Sequence, residues 1–130
     1  MATLALANAD QMAPLDDQTS SMAAYAIYQD GEPVRALLYN SEYYTSGTRP
    51  SESYTLTDLS SASGRVTAKR LTAGYSTSRA DRGQSLTIAG QTFRNGDYAM
   101  EGTAVVETGE VVDGEATFTV AASEALLVYL

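Results

Sequence analysis

Sixteen Asp and Glu side chains are the main stock of acid–base chemistry in this chain, which contains no histidine and no cysteine. Without histidine there is no Ser-His or Cys-His relay and no usual general base; without cysteine there is no thiolate zinc site or thiol nucleophile. Carboxylate pairing remains. Cleaving a glycosidic bond takes two carboxyls roughly 5 to 10 Å apart in a cleft, and the sequence offers Glu107 with Glu110, and Asp113 with Glu115. Both pairs fall on or beside a predicted hairpin, where acids ordinarily form a solvated face that keeps strands from pairing edge to edge. No catalytic residue is assigned. Asp10 with Asp16-Asp17 suggests calcium, but a hard cation needs six or more oxygens in a set geometry, and neither a metal nor a cofactor is expected.

Tyrosine is the other candidate. Tyr43, Tyr44, Tyr54 and Tyr75 combine a flat apolar ring with a hydrogen-bonding tip, which suits the faces of sugars and protein interfaces alike. Tyr43, Tyr44 and Tyr75 are the candidate carbohydrate-stacking residues; the alternative is that the tyrosines cover the ends of the fold. Tryptophan, the strongest stacking residue, is absent. Arg49-Pro50 reads as a turn residue followed by a proline leading into a strand, and no N-x-S/T sequon occurs.

The elements that must position these residues are strands. Residues 22–40, MAAYAIYQDGEPVRALLYN, hold two apolar runs, 22–29 and 34–40, around Asp30-Gly31-Glu32-Pro33, and predict an antiparallel hairpin. Neither run alternates cleanly. Ala23, Tyr25 and Ile27 oppose Met22, Ala24, Ala26 and Tyr28, and Val34, Ala36 and Leu38 oppose Leu37 and Tyr39, so the hairpin wants apolar neighbours on both sides. One neighbour is the opposing sheet; the other is expected in a partner outside the chain. The closing EALLVYL, 124–130, is also apolar on both faces, and placing it beside the hairpin would make both central.

Residues 1–21 form a lead-in: Leu4 and Leu6 fit a short strand or one helical turn, and 12–15 fit a short edge strand because Pro14 cannot donate to a ladder. Residues 51–59 give a Thr-rich strand, 65–72 a solvent-edged strand and 85–89 a short strand. Asn95-Gly96-Asp97 marks a turn. Residues 103–112 and 115–120 flank Asp113-Gly114, which suits a type I′ turn, with Ala116, Phe118 and Val120 on the dry face. Eight or nine short strands, turn signals every 8 to 12 residues and no amphipathic helix predict an all-β, antiparallel β-sandwich of about eight strands over 22–130.

A chain of 130 residues is one domain, able to remove roughly two-thirds of its unfolded surface from water. A net charge of −8 with a single lysine, Lys69, argues against nucleic acid or an anionic membrane as partner. No run is long enough for a spanning helix, and MATLALANAD lacks the basic start and full apolar core of a secretory signal.

AAYAIYQDGEPVRALLYNSEYY, the GTRPS that follows, RVTAKRLTAG, SLTIAGQTF and VAASEALLVYL, taken in order over about four-fifths of the chain, resemble the C-terminal β domain of glycoside hydrolase family 79, the β-glucuronidase and heparanase-like enzymes, particularly their fungal members. The resemblance implies a non-catalytic accessory sandwich that packs against and stabilises an (α/β)8 barrel carrying the two catalytic glutamates, in a parent that is commonly secreted. It also implies a sandwich completed by strands that precede the barrel, so this chain alone would lack a strand and expose an edge; with the apolar patch that a missing barrel would leave, self-association or marginal stability of the isolated chain is expected. The alternative function is an independent carbohydrate-binding module using the loop tyrosines; a self-sufficient enzyme is the third and least supported reading.

Overall fold

The computed structural model describes residues 1–17, 19–60, 64–84, 86–94 and 96–130. One helical turn, α1 (Ala2–Ala5), precedes β1 (Gln11–Pro14), β2 (Met22–Gln29), β3 (Glu32–Asn40), β4 (Ser51–Leu56), β5 (Arg65–Ala73), β6 (Leu86–Ile88), β7 (Thr92–Phe93), β8 (Met100–Glu101), β9 (Glu107–Glu110), β10 (Ala116–Ala121) and β11 (Glu124–Tyr129). The large sheet runs β1-β2-β3-β11-β5-β6, with β9 also pairing with β5; β10-β4 forms a small second sheet, and β7-β8 a separate two-stranded arm. Every pairing is antiparallel. This is the expected all-β sandwich, with eleven strands among the described residues rather than eight or nine.

The core lies between the two sheets. Leu38, Val66, Ala68, Leu126 and Val128 of the large sheet meet Ala116, Phe118 and Val120 of β10, with Tyr54, Leu56, Leu59 and Val111 at its margin. β11 lies between β3 and β5 and is buried from Glu124 to Val128, which explains why its sequence has no polar face. β10 alternates buried and exposed as its sequence predicts.

Three expectations are revised. The β2–β3 connection is two residues long, Asp30 at φ 55° and Gly31 at φ 80°, so Glu32 and Pro33 belong to β3; two consecutive positive φ values match the right-handed twist of the strands. β5 is not solvent-edged, because β11 flanks one side and β6 with β9 the other; its polar spelling misleads since Arg70 and Thr72 point inward to carboxylates. Asp113 (φ 51°) and Gly114 (φ 79°) form the expected turn, but it closes a single Val112–Glu115 bridge. Beyond that bridge β9 joins the large sheet and β10 the small one, so the turn passes the chain between layers. Asn95 and Ser85 lie outside the described residues, so the turn signal at 95–97 and the strand start at 85 are described only in part.

The lead-in covers part of the large sheet's outer face. Ala5, buried, packs with Ile27 and Leu127, and Met1, Ala9, Leu37 and Tyr129 surround them. Arg35, also buried, donates from Nη2 to the Ala7 carbonyl at 2.6 Å and holds the lead-in down, while its Nε is left without a partner. Part of the second apolar neighbour that the hairpin wants is therefore inside the chain. β1 pairs along β2 as the short edge strand expected, with Pro14 opposite Tyr25.

Candidate functional site

At one end of the sandwich the inward positions of the large sheet turn polar. Asn40, Arg70, Thr72 and Glu124 follow Leu38, Ala68 and Leu126 on the same face. Glu124 Oε2 accepts from Arg70 Nη1 at 2.6 Å and from the Ala121 N–H at 3.1 Å, and Oε1 accepts from the Thr72 hydroxyl at 2.6 Å. Arg70 also forks onto Glu107, Nε to Oε1 at 2.7 Å and Nη2 to Oε2 at 2.8 Å. Arg49 reaches in from the 41–50 loop, donating to the Ala122 carbonyl at 2.8 and 2.6 Å and the Ala73 carbonyl at 3.0 Å, with Glu124 3.6 Å away. Asn40, fully buried, donates to the Val120 carbonyl at 3.2 Å and accepts from the Glu42 N–H at 3.0 Å. The cluster ties both sheets and the 41–50 loop together.

The same loop carries the tyrosines. Tyr44 and Tyr75 are brought together, their rings stacked with centroids 5.9 Å apart and planes at 25°. Arg49 lies 5.5 Å from the Tyr44 centroid, and the Tyr44 hydroxyl donates to the Gly47 carbonyl at 2.9 Å. Backbone bonds pin the two loops: Tyr44 N–H to Ser76 Oγ at 2.6 Å and Ser76 N–H to the Tyr44 carbonyl at 2.8 Å. Ser76 Oγ bonds in turn to Ser123 Oγ, and Ser123 donates to the Glu42 carbonyl at 2.9 Å. Tyr43 is 71% exposed and Tyr75 45%. Tyr54 lies apart, on the inner face of β4, its hydroxyl donating to the Tyr39 carbonyl at 2.7 Å; burial, with Asp16 and Glu52 nearby, pushes its pKa up.

Among the described residues Glu107 and Glu110 turn to different arginines rather than to each other. Burial alone would raise the pKa of Glu124, but the donors from Thr72, Ala121 and Arg70 hold it below its ordinary value. A glycosidase acid needs the opposite shift. Glu107 faces inward onto Arg70, away from Glu110, which is exposed and 3.9 Å from Arg65. Asp10 accepts from the Asp30 N–H at 2.7 Å and Asp17 from Thr19, so these acids close turns; no group of three or more potential metal ligands occurs among the described residues. The clasp of Arg49, Arg70 and Glu124 was missed in the sequence, where Arg49 reads as a turn residue. The available signals were a glutamate heading the apolar run 124–130 and an arginine at the inward phase of β5.

Two apolar hollows flank the core. One, of about 660 Å³, opens between the sheets beside β4; Ala24, Ala26 and Ala36 floor it, and Tyr28, Leu15 and Leu56 line it. The other, of about 600 Å³, lies on the outer face between α1 and the β7–β8 arm.

A family profile described as the Glycosyl hydrolase family 79 C-terminal beta domain matches residues 24–127. The chain belongs to that family. A crystal structure of a 4-O-α-L-rhamnosyl-β-D-glucuronidase from Fusarium oxysporum 12S, in complex with Rha-GlcA, is similar over 99% of this chain at 62% identity and a TM-score of 0.96. The chain spans 28% of that enzyme's length. No curated protein sequence matches. As a family 79 C-terminal β domain, the chain corresponds to a part of the enzyme it resembles.

Proposed function

We propose that this β domain is the non-catalytic accessory sandwich of a β-glucuronidase-type glycoside hydrolase, acting by packing against, and being completed by, a catalytic (α/β)8 barrel portion of the parent. The reading extends to the parent the activity of the Fusarium relative, hydrolysis at a glucuronic acid unit. The observation that carries it is the mismatch between the sheets. Two strands, β10 and β4, face a seven-stranded sheet, and beyond the edge of β4 that has no strand partner among the described residues the inner face of β2–β3 is floored by alanines. Protein interiors are close-packed, so such a floor calls for large side chains from a strand laid beside β4, by the main-chain pairing of β-augmentation.

The test mixes the chain with the rest of the Fusarium enzyme, expressed separately. A one-to-one complex by sedimentation, an upward shift of the chain's unfolding midpoint and glucuronidase activity in the mixture are expected, with none from the chain alone on a chromogenic glucuronide. No association, together with hydrolysis by the chain alone, would overturn the reading. Exposed Tyr43 and Tyr75 on adjoining loops favour a second reading, an independent carbohydrate binder. Its signature is saturable tyrosine-fluorescence quenching by glucuronides or polysaccharides that Tyr43→Ala and Tyr44→Ala abolish.

A further inference from the structure

The outer-face groove differs in chemistry from the cleft beside β4. Its walls are Leu4 from α1 and Phe93, Met100 and Val106 from the arm and its return, 36%, 52%, 58% and 51% exposed. The arm is fixed rather than loosely hung: the Val105 N–H donates to the Ala89 carbonyl at 2.8 Å and the Ala89 N–H to the Arg70 carbonyl at 2.7 Å. At the arm's root Gly90, at φ +74°, lies so close that an added Cβ would sit 2.8 Å from the Thr103 carbonyl oxygen. The groove is preformed.

Lys69, on the outer face opposite Leu127, reaches into it. It is the chain's one lysine. Half-buried, it lies 5.4 Å from the Tyr129 ring centroid and has no ion pair among the described residues, whereas half-buried Arg49 and Arg70 both reach Glu124. A cation lodged among apolar walls without a carboxylate is desolvated without full compensation.

Resting on the proposed function, the geometry points to this groove as the seat of a segment from the parent's barrel-bearing portion, one that sets apolar side chains against Leu4, Phe93 and Met100 and a carboxylate against Lys69. Most of the length of the related glucuronidase lies outside the region this chain matches, so a covalently linked occupant is at hand. A second copy fits worse: groove against groove brings Lys69 to Lys69, between molecules that each carry a charge of −8.

The test replaces the matched region of the Fusarium enzyme with this chain. Because the chain has no cysteine, single cysteines at Phe93→Cys in the groove, Tyr28→Cys in the inter-sheet cleft and Thr117→Cys on the solvent face of the small sheet report access to maleimide, read by mass spectrometry. Phe93→Cys is expected to react at least about tenfold more slowly in the chimera than in the dilute isolated chain, as a site opening with the interface should, and Thr117→Cys equally fast in both. Adding Lys69→Glu should return Phe93→Cys in the chimera toward its isolated rate, with Lys69→Met in between. Equal Phe93→Cys rates in both proteins overturn the proposal. Tyr28→Cys protected in that same experiment would leave the strand-completion reading standing, and Tyr28→Cys open as well would sink both. Protection in the isolated chain that grows with its concentration would seat a second copy there instead and also overturn it, and a Phe93→Cys rate indifferent to Lys69→Glu overturns the carboxylate contact.

Discussion

At the scale of single residues, the sandwich's polar end is held by a carboxylate, Glu124, that accepts three hydrogen bonds and has Arg49 close by. Truncating Glu124 leaves Arg70 and Thr72 facing a half-buried void, and Glu124→Ala should cost about 2–3 kcal/mol, below the figure for a fully buried pair because Arg70 keeps 21% of its side-chain exposure; urea unfolding measures it. The same group gives stability a pH dependence. Glu124 titrates below its ordinary 4.5 in the folded chain, so the unfolded chain takes up the proton first as pH falls. Its contribution is complete above about pH 4.5 and is lost as pH drops through the folded value. Asp81 and Asp97 are also shifted down by exposed arginines, which salt screens, and Asp17 by exposed hydrogen bonds from Thr19. An acid limb that persists in high salt and flattens in Glu124→Gln is the expected result. Asn40 bridges the layers without charge, and Asn40→Ala, by stranding the Val120 carbonyl and the Glu42 N–H, should cost about 1–3 kcal/mol at every pH.

At the scale of elements, the two sheets are in tight contact where β9 carries Gly109. A Cβ placed there would sit 2.5 Å from Phe118 Cζ, so the ring lies directly on the backbone. Gly109→Ala should destabilise by about 1–3 kcal/mol through overpacking, and Phe118→Leu in the same chain should recover part of that loss in thermal unfolding; equal stability of Gly109→Ala and the parent chain would mean that β9 shifts freely. Nothing in ETGE announces this contact, and that marks where reading the sequence stops. β2, β3, β10 and β11 were legible because local runs and the Asp-Gly turns encode them. β5 was misplaced at an edge because Lys69 and Arg70 give it a polar spelling, while the carboxylates that neutralise Arg70 come from residues 37 and 54 positions away. β7 and β8 are too short for any periodicity to register. The aromatic candidates were legible as residues but not as an arrangement: stacking of Tyr44 on Tyr75 follows from the pinning of two loops by Ser76 and Ser123, a non-local fact.

At the scale of the molecule, hollows and exposed apolar side chains govern how the isolated chain behaves in water. Leu4, Leu6, Met12, Phe93, Met100, Val105 and Val106 are all exposed by a third or more, and β4 offers an edge with no strand partner among the described residues. Apolar patches above a few hundred Å² are uncommon on monomers, and an unpaired strand edge templates further pairing. Against this stands the charge of −8, whose repulsion reaches about 8 Å at physiological ionic strength and fades as salt is added. The two effects predict an ordering rather than a fixed state. Near-monomeric sedimentation is expected at low salt and low concentration, and association and binding of an apolar-surface dye are expected to rise together with salt and with concentration. On the proposed packing, adding the remaining portion of the related glucuronidase should abolish both, because it would occupy the surfaces responsible. A chain that remains monomeric and dye-free at high concentration in high salt would show that β4's edge and the outer groove are tolerated in water as they stand, and the packing role would then lose its physical motive.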